Sequence, residues 1–360
     1  MRALKQREIK IVRACVLPML VLATMGVDKG CVTSPTTDTI VNAKTQTVKG
    51  TISEYDAAGN LVGFQNGKAR LRVGSGAWTP WANTVNNTWT ITPFSLSSGV
   101  NVLRGETQRT AGTTSVNGTI ADFILEYKTD LIDQGTQKVY LDWSESGIDS
   151  KIKEMATATL DPDPTAAQLN TFVTNVKAGV KDFVERAYSG MDVTVVASAE
   201  TATQTVKFHN DTGCNLYGSS PGDYLNKNKT QTSNVYIDAI RCTIVDDLLT
   251  ETPAKATDTL AQRVTDVATF IGRTAAHEVG HSLGLTDEGH LHGCEGMHNC
   301  ESYDSSNPAN RFDSGHHIMD PGPKSETFAR IGQANATARQ WQRPVFEPYG
   351  KSYLQLIHPK

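Results

Sequence analysis

The sequence predicts two domains of different class, an all-β domain over residues 46–128 followed by an α+β domain over residues 135–345. Three observations predict this. The chain has 360 residues, too many for one typical core. Before about residue 130 the apolar residues fall in short β-branched runs separated by Gly-, Asn- and Ser-rich turns, at sandwich-like spacing and with no helical period. After it, strand-like runs alternate with two long segments whose apolar residues recur every three or four positions.

In the first part the strands are Leu61 to Phe64, Ala69 to Val73, Thr88 to Ile91 and Val100 to Leu103. Trp78, Trp81 and Trp89 fit either a carbohydrate-stacking face or ordinary core and rim packing, and packing is the expectation. In the second part Lys138 to Trp143 reads as a strand. Asp163-Pro164 then opens a helix carrying Leu169, Phe172, Val173, Val176, Val180, Phe183, Val184 and Ala187 on one face, with Gly190 as its stop. Met191 to Ala197, Thr205 to Phe208 and Asn234 to Ile240 read as strands, and a second helix runs from about Asp258 to Gly284. Residues 346–360 are expected as a C-terminal tail.

The N-terminus has the pattern of an export signal over residues 1–30. Arg2, Lys5, Arg7, Lys10 and Arg13 precede a mostly apolar run from Val16 to Val27, shorter than a membrane span. Cys31 follows it and is a candidate lipid-attachment site, although Asp28 and Lys29 suit such a site poorly. Residues 31–45, rich in Thr, Ser and Asn, are expected as a linker. Net charge is −4 with no basic run beyond the N-terminus, which argues against a nucleic-acid partner. The expected location is secreted or attached to the cell envelope, with a lipid anchor through Cys31 as the membrane route.

With Cys15 and Cys31 set aside, Cys214, Cys242, Cys294 and Cys300 remain. An even number in an exported chain suggests disulfides, and three pairings exist. Cys214–Cys242 and Cys294–Cys300 are the expected ones. A four-cysteine zinc site lacks the usual paired spacing.

The second helix ends in Arg-Thr-Ala-Ala-His277-Glu278-Val-Gly-His281-Ser-Leu-Gly284-Leu-Thr-Asp287. On a helix, residues four apart lie one above the other, so both imidazoles face one side. Two such nitrogens can hold one Zn2+ at about 2.0–2.1 Å. Glu278, beside the first ligand, reaches water at the metal without binding the metal itself. Gly284 is placed to end the helix, and Asp287 lies three residues beyond it. Ile318-Met319-Asp320 follows His316-His317 and precedes Pro321-Gly322-Pro323, a turn signal.

These segments, "HEVGHSLGLTD" and "HHIMDPG", resemble the metzincin zinc metalloproteases, whose pattern is H-E-x-x-H-x-x-G-x-x-H/D with a later methionine turn. The resemblance implies an α+β metzincin-like catalytic domain and a zinc endopeptidase acting on protein or peptide substrates. It makes His277 and His281 zinc ligands, Glu278 the general base, Gly284 the turn glycine and Met319 the Met-turn residue. Asp287 stands where most members have histidine and resembles the snapalysin-type branch. His290 is the alternative third ligand, and Glu288 a lesser one. His290, His292, Cys294, His298, Cys300, Asp304, Asp313, His316 and His317 crowd the loop that follows, and a disulfide-pinned cleft wall is favoured there over a second metal. The preceding domain, through "GSGAWTPW", "NTWT" and "LSSGVNVL", resembles bacterial immunoglobulin-like modules, implying a β-sandwich. The rival reading is a surface-binding or adhesive protein with an inactive zinc site, against which the presence of Glu278 argues. A structural zinc site would need a fourth protein ligand.

Overall fold

The structure, a computed structural model, describes residues 27–36, 39–55, 61–111, 114–160, 163–210, 213–214, 216–251, 259–285, 317–319, 344–346 and 348–360. The chain divides into two compact units, Met1–Asp130 and Leu131–Lys360.

The first unit is built from β1 (Val27–Ser34), β2 (Thr39–Val41), β3 (Thr45–Tyr55), β4 (Leu61–Phe64), β5 (Lys68–Val73), β6 (Ala82–Val85), β7 (Thr88–Ser95), β8 (Gly99–Ala111) and β9 (Thr114–Tyr127). The sheet runs β1-β3-β7-β6-β5-β8-β9, and β9 then pairs with β1 in parallel through Lys29↔Thr119 and Gly30↔Ile120. Seven strands therefore close on themselves, and β2 and β4 pair outside the ring with β9 and β3. The expected fold class, an immunoglobulin-like sandwich followed by an α+β metzincin-like domain, does not describe this chain. One sheet closed into a mixed barrel stands where two facing sheets were expected. Val48, Ile52, Leu71, Trp89, Ile91, Leu103, Phe123 and Leu125 fill it. Closure depends on Gly30: a Cβ there would lie 2.4 Å from Cγ1 of Ile120. Any larger residue holds β1 away from β9.

Residues 31–45 are thus no linker, because β1 and β2 belong to the sheet. Cys31 lies in β1 opposite Thr51, and its sulfur is engaged in a disulfide. A sulfur so placed is not available for acylation, which argues against the candidate lipid attachment at Cys31. Residues 1–26, with most of the expected export signal, lie outside the described residues. Among the described residues no helix is long and apolar enough to cross a membrane.

The tryptophans divide. Trp89 is fully buried in the barrel, its Nε1–H donated to the Thr51 carbonyl. Trp78 and Trp81 interleave with the cations of β5. Arg70 and Arg72 lie 4.7 and 4.4 Å from the Trp78 centroid, and Arg70 and Lys68 lie 4.6 and 5.0 Å from that of Trp81. Cations over the rings contribute their own stabilisation and compete with any sugar for those faces.

The second unit contains β10 (Gln137–Asp142), α1 (Ile148–Thr157), α2 (Ala166–Ala187), β11 (Val193–Val196), β12 (Gln204–His209), β13 (Gly218–Ser219), β14 (Gln231–Tyr236), α3 (Ile237–Glu251), α4 (Leu260–Ser282) and α5 (Pro348–Ile357). The strand order is β11-β10-β12-β14-β13, parallel except for β13 at the edge. Both long helices open with a capping box, Thr165 with Gln168 and Thr259 with Gln262. The helix boundary at Thr165 lies just beyond the expected Asp163-Pro164. The expected strand Asn234 to Ile240 stops at Tyr236, and its apolar second half opens α3. From Val267 to Ser282 nearly every residue of α4 is buried, so the helix is covered on all sides.

Residues 346–360, expected as a tail, include α5 and are tied to the core. The Ile357 carbonyl accepts from Gln134 N–H, the His358 carbonyl from Asp192 N–H, and His358 Nδ1 donates to the Gly135 carbonyl. Cys214 and Cys242 form a disulfide, with Cα atoms 5.7 Å apart, linking the segment before β13 to α3. Cys294 and Cys300 lie outside the described residues.

Two outcomes follow from this packing. Gly30→Val should lower the denaturation midpoint of the barrel by the equivalent of about 1–3 kcal/mol, the scale of overpacking a filled core. Equilibrium unfolding followed by the fluorescence of Trp89 measures it, and an unchanged midpoint contradicts the seam. His358 is completely buried and burial holds its imidazole below the ordinary pKa. The fold therefore favours the neutral ring. Its stability contribution is full above about 6.5 and is lost as pH falls from there toward the lower folded value. Thermal melts at pH 7.5 and 5.5 should show a smaller acid loss in His358→Asn than in wild type.

Candidate functional site

His277, Glu278 and His281 all lie in the last two turns of α4, where side chains four apart share a face. His277 Nδ1 lies 2.7 Å from the Ile318 carbonyl oxygen, and His281 Nδ1 lies 3.0 Å from that of Leu285. A carbonyl can only accept, so each Nδ1 carries the proton and each Nε2 presents a lone pair. The two Nε2 atoms are 3.0 Å apart, with the rings edge to face. Two nitrogens bound tetrahedrally at about 2.0–2.1 Å would be separated by about 3.3 Å. Both tautomer and spacing therefore suit one zinc ion. Among the described residues no group of three His, Cys, Asp or Glu side chains converges on a metal position. Asp287, Glu288 and His290, between which the third ligand was left open, lie outside the described residues.

The carbonyls that orient the imidazoles come from opposite ends of the site. The Leu285 carbonyl is delivered by the end of α4. Gly284 takes φ +98°, its N–H bonds the His281 carbonyl, and Leu285 N–H bonds the Gly280 carbonyl. This is a Schellman ending, which needs a left-handed residue after the cap. Glycine is required by space as well, since a Cβ at 284 would lie 2.2 Å from Oη of Tyr353 and 2.8 Å from the Asp223 carbonyl. The Ile318 carbonyl is fixed from elsewhere. Ile318 N–H bonds the Val345 carbonyl, and Arg273, one turn before His277, donates to the His317 carbonyl at 2.6 Å. Met319 then turns beneath the helix, its sulfur against Gly280, where a Cβ would lie only 2.7 Å away. The expected Met-turn residue and the expected histidines are thus brought together. His317 is half-buried and bridged to Val345, while His316 and the loop residues His290, His292, His298, Asp304 and Asp313 lie outside the described residues.

Glu278 is buried, and burial pushes its carboxyl up to about 8. The cause is loss of hydration of the charged form. A neighbouring dication would oppose that by favouring the carboxylate. The side chain lies against Gly218 of β13, where a Cβ would meet Oε1 at 2.4 Å. Its own backbone carbonyl accepts from Ser233 of β14 at 3.3 Å. Tyr188, completely buried at the end of α2, donates its hydroxyl to the Ala276 carbonyl at 2.7 Å. Burial, reinforced by the charge of Glu278, raises its pKa well above the usual phenol range, so it remains a donor.

Gly218, Ser233 and Tyr188 were not singled out in the sequence. The signal available for Gly218 was the small-residue run Gly218-Ser219-Ser220 ending in Pro221-Gly222, which marks a short strand and a turn. No such signal distinguishes Ser233 or Tyr188, whose roles follow from tertiary packing.

No family model matches the chain, and no curated protein matches it. A GH20 exo-β-N-acetylglucosaminidase from Vibrio harveyi, solved with N-acetylglucosamine, aligns at 7% identity over 63% of this chain and 37% of its own, with TM-score 0.15. The chain thus spans little more than a third of that enzyme, and a likeness at this level carries no argument about fold or activity.

The ending of α4 gives a direct check. Gly284→Ala adds both a strained φ and a steric clash, so it should cost more than about 1 kcal/mol, the usual scale of an alanine forced into φ > 0. A thermal melt within 2 °C of wild type, roughly less than 1 kcal/mol for a unit this size, would remove that requirement.

Proposed function

We propose that this chain is an exported zinc-dependent endopeptidase that hydrolyses peptide bonds by attack of water, with Glu278 as general base. One observation carries the reading. Two imidazoles have their Nδ1 protons committed to carbonyls and their Nε2 lone pairs converging at 3.0 Å, beside the buried Glu278 carboxyl group. An ordinary core histidine pair has no need of both features.

His277 and His281 would hold the ion. Asp287 is the proposed third ligand and His290 the alternative. Zinc held there would supply Lewis acidity toward the scissile carbonyl and toward water. Glu278 accepts the proton from the attacking water and returns it to the leaving amine. No side chain is acylated. Its burial shields the carboxylate from bulk solvent, and Gly218 keeps the β13 backbone beside it. β13 is an edge strand, paired among the described strands with β14 alone. An extended peptide would add to its other edge through main-chain hydrogen bonds, which places a scissile bond near Glu278. The H-E-x-x-H run with Gly284 and Met319, which resembles the metzincin motif, supports the same assignment. Export rests on the charged and apolar N-terminal pattern and on cysteines engaged in disulfides.

Metal analysis together with cleavage of a peptide library, before and after chelation, tests the reading. Zinc near one equivalent and chelator-sensitive cleavage are expected. Bound zinc with no cleavage of denatured protein would favour the surface-binding alternative. Glu278→Gln should retain zinc and lose at least about 100-fold in turnover, the range assigned to general base catalysis. Near wild-type turnover in that variant excludes Glu278 from the reaction. In zinc titrations Asp287→Ala should weaken binding about tenfold or more. His290→Ala should change it far less, and the opposite ranking would shift the ligand assignment to His290.

A further inference from the structure

We propose that Tyr353, on the C-terminal helix and far from the motif in sequence, is a positioning residue for the metal site. The proposal rests on the zinc reading above. The Tyr353 hydroxyl accepts the Leu225 N–H at 2.8 Å and stands against the α carbon of Gly284. Leu225 belongs to a tight turn in which it and Asn226 both take positive φ, +68° and +47°. Asparagine enters that region readily, but a leucine does so only when its surroundings hold it there. The surroundings here are specific. Asn226 N–H bonds the Asp223 carbonyl, and its side chain donates to Gln137 and meets His358 Nε2. Tyr224 stacks on Tyr353 with centroids 5.9 Å apart.

The same turn touches the end of α4. Asp223 N–H bonds the carbonyl of His281, and the Asp223 carbonyl and Leu225 nitrogen crowd Gly284. Tyr353 therefore braces the point at which the chain leaves α4. From that point comes the Leu285 carbonyl, which sets the His281 tautomer. Removing the hydroxyl leaves Leu225 N–H without its acceptor and the Gly284 reversal unsupported on that side. The ring, its stacking and its burial remain.

Tyr353→Phe isolates the hydroxyl. Ile152→Val, which opens a small cavity in the core at α1 and leaves the contacts of the turn in place, is the control. Full-length protein is freed of metal, and zinc affinity is measured by chelator competition. The absorption spectrum of the Co2+-loaded protein reports ligand geometry, and thermal unfolding of the metal-free chain reports stability. Tyr353→Phe should weaken zinc binding about tenfold or more, the scale found for groups that orient ligands. It should also alter the Co2+ spectrum, with the metal-free melting temperature changed little. Ile152→Val should lower the melting temperature with zinc affinity unchanged. Wild-type affinity and spectrum in Tyr353→Phe overturn the assignment. So does a loss of affinity that merely tracks melting temperature in both variants. His281→Ala separates the two levels: zinc binding abolished there, with Tyr353→Phe unaffected, sinks only the role of Tyr353. A wild-type chain that binds no zinc sinks the zinc reading and this assignment with it.

Discussion

Two backbone carbonyls, those of Ile318 and Leu285, decide what the end of α4 can do. By taking the Nδ1 protons of His277 and His281 they turn two amphoteric rings into two convergent acceptors. Neither carbonyl belongs to the helix. One is held by Arg273 and Val345 acting on the 317–318 segment, the other by the reversal at Gly284. The site is therefore a property of the packed unit, although its side chains come from one helix. The sheet contributes from below, where β13 and β14 confine the Glu278 side chain and bond its carbonyl.

This division explains how much of the site was legible in the sequence. The spacing of His277 and His281 is a local property of a helix, so five residues suffice to read it. The Gly284 ending is nearly as local. Met319 was readable only through a resemblance, and its contact with Gly280 depends on a chain reversal that no periodicity encodes. Tyr353 and Ser233 are ordinary residues in ordinary contexts, and their importance follows from strand order and from the path of the C-terminus. The short α1 and the helix α3 were missed for a related reason. Ile237, Ala239 and Ile240 are β-branched or small and follow directly on a strand, so local pattern continues the strand where tertiary burial begins a helix.

In the first unit four strands, those at β4, β5, β7 and β8, were legible, and the other five and the closure were not. Alternation of inward and outward residues is common to sandwiches and barrels, because both have one buried face per sheet. The distinguishing fact is the parallel seam between β1 and β9. Its first strand, Val27–Ser34, combines Asp28, Lys29 and Gly30 with a position just after an apolar run, and reads as the end of a leader and the start of a tether. The two glycines that face Ile120, at 30 and 105, gave no signal beyond being glycines.

The seam also sets the order in which this unit can be completed. Lys29 and Gly30 must find Thr119 and Ile120, so the contact that closes the ring joins the first strand made to the last. Hairpins such as β8–β9 form between neighbours in sequence, whereas ring closure waits for the whole unit and carries the largest loop entropy within it. Until that contact forms, the strands make an open sheet with two free edges. Those edges are the surfaces through which two unfinished copies could pair with each other, and Gly30, which lets the edges meet closely, is what removes them.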